Sequence, residues 1–172
     1  MLKPAINYVD QLNKLKSIIF DNEDKYKYCI NADYIDYNFF CIEDSDYKSI
    51  QRVSVNSNDE VIGYMSANLG LNNVVTNLCL LNFYLDSKAL PVSFARDTNA
   101  FIDYLFKYRK VTKIKFNVLI GNPAEKIYDR FVKNHNGRIV GTFKNDAILI
   151  DKTICDVKCY EIMRENYTEA KK

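Results

Sequence analysis

The chain contains no tryptophan, one histidine, three prolines and only five glycines among its 172 residues. With so few chain breakers there is no Pro/Gly-rich linker, low-complexity segment or internal repeat, and a length of 172 residues suits one well-buried core better than two. Hydrophobic residues make up 48% and charged residues 27%, which is the balance of a globular domain. Net charge is also scarce: 24 Lys plus Arg against 22 Asp plus Glu leave +2. That gives no electrostatic case for a general nucleic-acid binder, which would show a basic face, so no nucleic acid is expected as a partner. None of the five cysteines (Cys29, Cys41, Cys79, Cys155, Cys159) forms a CxxC pair, and their odd number leaves at least one unpaired in a monomer. They read as thiols of a reduced, intracellular protein, packed as small hydrophobes. Cys155 and Cys159 would share one face of a strand, but with no histidine nearby they do not make a metal site. No apolar run is long enough to cross a bilayer, and the N-terminal MLKPAINYVDQL lacks an uninterrupted apolar stretch. The expected location is the cytoplasm, without a membrane partner.

The patterning present is that of an α+β domain. Leu12, Leu15, Ile18 and Ile19 recur at helical spacing within Gln11–Phe20. The aromatic- and acid-rich 21–47 segment suggests a second short helix and loops. From Ser49 the period falls to two, and NSND (Asn56–Asp59) supplies a turn before EVIGYMSANL, a β-hairpin pattern. A second turn at Gly70–Asn73 leads into the mostly apolar VVTNLCLLNFYLD, giving three consecutive antiparallel strands. Ser87–Asn99 reads as a connection, opening onto a helix with an apolar stripe at Phe101, Ile102, Leu105, Phe106 and Tyr108. A β-branched strand VTKIKFNVLI follows, then a helix begun by Asn122-Pro123, then strand segments HNGRIVGTF and AILI, a turn at Asp151-Lys152 and a closing strand DVKCYEIM. Strand, helix, strand in this order predicts a parallel neighbour reached by a crossover.

GNPAEKIYDRFVKNHNGRIVG (Gly121–Gly141) is the most informative stretch: a strand end, a Pro-started helix bearing Tyr128, and a glycine-marked return. Taken with EVIGYMSANL and with GRIVGTFKNDAILIDKTICDVKCYEIMRENY, in which Asp156, Tyr160, Glu161 and Arg164 stand out, it resembles the GNAT-type N-acetyltransferase superfamily. The tail is similar to that of acetyltransferases acting on ribosomal-protein N-termini or polyamines, and to small acetyltransferases of phages and Firmicutes. The resemblance spans about Ser49–Tyr167 within a single domain, with residues 1–48 as acceptor-side elements.

The resemblance implies a GNAT-like acyl-CoA N-acyltransferase fold with a mixed central sheet, its fourth and fifth strands splayed apart to admit the pantetheine arm of acetyl-CoA. The expected pantetheine contacts are main-chain groups of Phe83, Tyr84 and Leu85, whose side chains read equally as core. Pyrophosphate is expected at the following helix N-terminus, here SFARDTN in place of the family's glycine-rich motif. Amides of Ser93, Phe94, Ala95, Asp97 and Thr98 and the cation of Arg96 are the candidates, while Asp97 reads equally as an N-cap. Tyr128, four residues after Ala124 as in the family, would protonate the departing CoA thiolate, or would be a core aromatic beside Ala124 and Phe131. Asn122 would contact cofactor or cap its helix.

No general base stands out. His135, at the end of its helix, reads as a dipole partner, and Glu161 or acids of the N-terminal third remain as bases acting through water. The run Asp33, Asp36, Glu43, Asp44, Asp46 would suit a cationic amine, or is a solvated loop. The implied activity is acetyl transfer from acetyl-CoA to a small-molecule or peptide amine. The competing readings are a GNAT-shaped CoA-binding or protein-interaction module without turnover, and a nucleic-acid module stacking bases on tyrosine. The aromatic content (13 Tyr, 10 Phe) allows a homodimer and fixes no interface.

Overall fold

The computed structural model describes residues 1–20, 42–43, 46–69, 75–82, 92–149 and 151–172. The described elements form two compact units. The first contains strands β1 (Leu2–Pro4), β2 (Ser49–Val55), β3 (Val61–Leu69) and β4 (Val75–Asn82) with helices α1 (Val9–Phe20) and α2 (Val92–Lys107). The second contains β5 (Lys113–Leu119), β6 (Arg138–Ile148) and β7 (Ile154–Met163) with α3 (Glu125–Asn134) and α4 (Arg164–Glu169).

In the first unit β1, β2, β3 and β4 are joined in that order, each pair antiparallel. The hairpin expected from NSND is present. Asn56 closes it by accepting the N–H groups of Asn58 and Glu60 on its side-chain oxygen, at 2.9 and 3.0 Å, while Asp59 takes the left-handed conformation that such turns require. β2 is buried on both faces. Strand β1 has no counterpart in the sequence reading, because three residues beginning Leu-Lys-Pro are too few to show a period. The turn at Gly70–Asn73 and the second short helix expected near residues 21–41 lie outside the described residues.

One boundary differs clearly from expectation. Helix α2 starts at Val92, inside the stretch read as a connection. Its buried face runs Phe94, Asp97, Phe101, Ile102, Leu105, Phe106. The spacing is regular, but a carboxylate occupies one of the apolar positions, so the stripe looked as though it began at Phe101.

In the second unit β7 lies between β5 and β6 and is antiparallel to both. β5 and β6 therefore run the same way without touching as neighbours, which corrects the expected direct parallel pair. The closing strand has taken the central place because it can bury both faces there: Tyr160 and Val157, on opposite sides, are both buried. Alternation along β5 sends Ile114, Phe116 and Val118 inward.

Helix α3 starts and stops as its sequence directs. Asn122 accepts the N–H of Ala124 at 2.7 Å through its side chain and that of Glu125 at 2.9 Å through its carbonyl, while Glu125 reaches back to the N–H of Gly121 at 3.1 Å. At the other end Asn136 is left-handed (φ 51°) and the Gly137 N–H returns to the Val132 carbonyl at 2.9 Å, a Schellman ending. Gly137 also has a packing reason: a Cβ there would lie 2.6 Å from Ile162 and 2.8 Å from the Glu161 carbonyl. α4, which the sequence reading left within the tail, packs the buried Tyr167 ring on His135, with centroids 4.8 Å apart.

Candidate active site

Tyr128 lies in the second turn of α3, half-buried. Its ring meets Phe116 of β5 edge-on at 5.3 Å and Tyr160 of β7 edge-on at 6.2 Å, and these two rings stack on each other at 5.2 Å. The ring of Tyr128 thus belongs to an aromatic cluster, and its side chain is not fully enclosed. Perpendicular ring contacts of this kind hold orientation as well as burying area.

Polar groups beneath this cluster hold the helix to the strand. The Lys158 ammonium on β7 bonds Glu125 and lies 3.3 Å from Asp129, two carboxylates one helical turn apart on α3. The Tyr160 hydroxyl donates to Asp129 at 2.7 Å. Lys158 is held above its ordinary pKa, first by Glu125, and Glu125 is held below its own by Lys158 and by the Gly121 N–H. Burial, reinforced by the bond to Asp129, pushes the Tyr160 phenol well above the usual range, so it remains a neutral donor at every physiological pH. Sequence reasoning did not find this network. Its helix carboxylates and strand ammonium are 33 and 29 positions apart, and nothing short of the register of β7 shows that they meet.

Asn122 is buried, and its side-chain oxygen accepts the N–H of Ala124, the residue that precedes α3. His135 donates through Nδ1 to the Phe131 carbonyl at 2.9 Å and packs between Phe131 and Tyr167, a structural position at the helix end. Glu161 is buried between Lys113 (2.9 Å) and Arg138 (2.7 Å), which hold its carboxyl below the usual range. With both oxygens engaged by cations that stabilise its charged form, it is a weak base.

In the first unit, Ser93, Phe94, Ala95, Arg96, Asp97 and Thr98 occupy the first two turns of α2 instead of a loop before it. Only the amides of the first turn, Ser93 and Phe94 among them, are left without partners in the helix ladder. From Arg96 onward the N–H groups are used inside the helix. Asp97 is not an N-cap. It is buried, accepts the Ser54 hydroxyl at 2.6 Å and lies 2.8 Å from the α-amino group of Met1. Thr98 turns its hydroxyl back to the Phe94 carbonyl at 2.9 Å. Arg96 leaves 71% of its side chain exposed, with Nε 3.7 Å from an Asp97 oxygen, one turn from the first-turn amides. Phe83, Tyr84 and Leu85 lie outside the described residues.

Of the acidic run, Asp33, Asp36 and Asp44 lie outside the described residues. Glu43 and Asp46 line a cavity of about 260 Å³ with Pro4, Ile6, Gln51 and Arg52. Asp46 is bound in two places by the Arg52 guanidinium, which holds it below its ordinary pKa. No described helix is long and apolar enough to cross a membrane.

No family model matches the chain, and no curated protein does. Solved structures do. Spermidine/spermine N-acetyltransferase SpeG from Vibrio cholerae, in complex with manganese ions, superposes with a TM-score of 0.60 at 19% identity, over 74% of this chain and 72% of that one. A putative acetyltransferase from T. thermophilus gives 0.56 at 13% identity over 73% and 64%. A further putative acetyltransferase gives 0.56 at 14% over 74% and 63%. At such identities the likeness establishes architecture alone: the chain has the α+β fold of the GNAT-type acyl-CoA N-acyltransferases.

Proposed function

We propose that this protein is an acetyl-CoA-dependent N-acetyltransferase acting on a primary amine by direct attack. The observation that carries the reading is the shared fold together with a half-buried phenol, Tyr128, held on the second turn of α3 by a capped helix start and two perpendicular ring contacts. The neutral amine attacks the thioester carbonyl, the C–S bond breaks, and the leaving thiolate takes the phenolic proton of Tyr128. The proton released by the amine passes to solvent and re-protonates the phenol. A phenol of ordinary pKa near 10 is protonated at neutral pH and can still serve as donor.

In this reading the first-turn amides of α2 and the guanidinium of Arg96 attract the phosphates of the co-substrate, as a helix N-terminus does. Asn122 acts through its bond to the Ala124 N–H at the start of α3. Main-chain groups of Phe83–Leu85 take the pantetheine arm. The polyamine acceptors named for the V. cholerae protein favour a cationic amine acceptor, and Glu43 is the acid at the cavity that Arg52 does not neutralise. The reaction would run in the cytoplasm.

Release of free CoA thiol with a panel of amines tests the proposal. Tyr128→Phe keeps the ring contacts and removes the hydroxyl, so turnover should fall about 100-fold with little change in KM. Undiminished turnover removes Tyr128 from the chemistry. Acetyl-CoA binding with no transfer to any amine favours the interaction module instead.

A further inference from the structure

Helix α3 turns Glu125, Tyr128, Asp129 and Val132 toward the sheet. Glu125 and Asp129 meet Lys158 of β7, Tyr128 meets Phe116 and Tyr160, and Val132 is buried. A helix lying on a sheet ordinarily fills such positions with apolar side chains. Here two of the four are carboxylates, and both bond to partners on one strand. Stability alone does not account for them, because ion pairs of part-exposed carboxylates contribute little, and the side chains of Glu125 and Asp129 are 21% and 40% exposed. What directional bonds add over apolar contact is a fixed orientation.

These bonds flank the phenol. Glu125 lies three residues before Tyr128 and Asp129 one residue after it, so one turn of helix carries the proposed proton donor and both anchors. On β7 the anchoring groups are Lys158 and Tyr160, two residues apart and therefore on one face of the strand. Tyr160 is the firmer of the two. Its ring is buried and stacked on Phe116 at 5.2 Å, and its hydroxyl donates to Asp129 at 2.7 Å, against 3.3 Å for the Lys158 ammonium. Tyr160 thus reaches Tyr128 by two routes, ring against ring and through the carboxylate of the next residue.

We propose that Tyr160 is a positioning residue, which fixes through Asp129 the rotation of α3 about its axis and hence the place of the Tyr128 hydroxyl. The inference rests on the acetyl-transfer reading, in which that hydroxyl protonates the departing thiolate. Tyr160 does not itself supply the proton: it is enclosed, its own proton is committed to Asp129, and burial holds its phenol above the usual range. A phenol oxygen stands several ångströms outside the helix cylinder, so a rotation of about 10–20° moves it further than the roughly 0.5 Å that productive geometry tolerates. Loss of the anchoring bond is therefore felt in the chemical step and not in co-substrate binding.

Tyr160→Phe tests this, since it keeps the ring and its stack on Phe116 and deletes only the bond to Asp129. The kcat should fall about tenfold with the KM for acetyl-CoA unchanged, and Asp129→Ala should reproduce the loss. In a Tyr128→Phe background neither change should lower kcat further, because the hydroxyl they place is already gone; a merely structural role would lower kcat in both backgrounds alike. Crystal structures of the wild type and of Tyr160→Phe, superposed on β5 and β7, give a readout that needs no turnover. They should place the Tyr128 oxygen more than about 0.5 Å apart, or spread it over two positions in the variant. Absence of turnover on every amine overturns acetyl transfer, and the crystal comparison then still decides whether Tyr160 places Tyr128. A Tyr128 oxygen that keeps its single position in Tyr160→Phe, or equal kinetic losses with and without the Tyr128 hydroxyl, overturns the proposal.

Discussion

Glu161 shows how much one side chain can hold in this protein. Its oxygens lie 2.9 Å from the Lys113 ammonium and 2.7 Å from the Arg138 guanidinium, and the residue is buried. A carboxyl whose pKa is lowered on folding adds stability above its unfolded pKa, about 4.3, and loses it as pH falls through the lower folded value. Glu161→Gln should therefore cost about 1–3 kcal/mol between pH 5 and 8, since it removes two charge-assisted bonds from a buried position. The gap from wild type should narrow steadily below pH 4, as the native carboxyl protonates and comes to resemble the amide. Urea unfolding of both forms across that range checks this, and a gap independent of pH would contradict it. Tyr128 is the opposite case: its ring packs edge-on against Phe116 and Tyr160, and its hydroxyl is the proposed proton donor. The family resemblance pointed to Tyr128 as a candidate, four residues after Ala124, whereas the ion pairs of Glu161 were hidden, because its cations come from residues 48 and 23 positions earlier.

At the scale of the element, α3 is the best-specified piece of the chain. Its start is written in Asn122 and Glu125 and its end in Asn136 and Gly137, all local signals that need no tertiary knowledge. Gly137→Ala should destabilise the protein by about 1–3 kcal/mol, because the new methyl must displace the Glu161 carbonyl or Ile162 where α3 turns into β6. A denaturation midpoint equal to wild type would contradict that. Gly141 makes the contrast, since open space surrounds it within the protomer. Legibility failed at α2 for a definable reason: buried Asp97, satisfied by Ser54 and the Met1 amino group, interrupts an apolar stripe that is otherwise regular. A buried charge whose partners are remote in sequence looks like a loop residue until the fold supplies them.

For the whole molecule, the order of elements proved more legible than their neighbours. The three consecutive antiparallel strands and the final strand were visible as period-two runs, but the insertion of β7 between β5 and β6 is a long-range choice that periodicity does not encode. The fold agrees with that of solved acetyltransferases at 13–19% identity, so architecture has persisted where sequence has not. In the proposed reading the donor is held by helix amides and main chain, which tolerate such divergence, while the acceptor is held by side chains that change freely. The central claim is therefore about the donor and the reaction type. Incubation of the purified full chain with acetyl-CoA and a set of primary amines, polyamines included, followed by mass spectrometry of the amines, tests it most directly. The account predicts an acetylated amine formed in step with free CoA and slowed about 100-fold by Tyr128→Phe; acetyl-CoA left intact, with every amine unmodified, would contradict it.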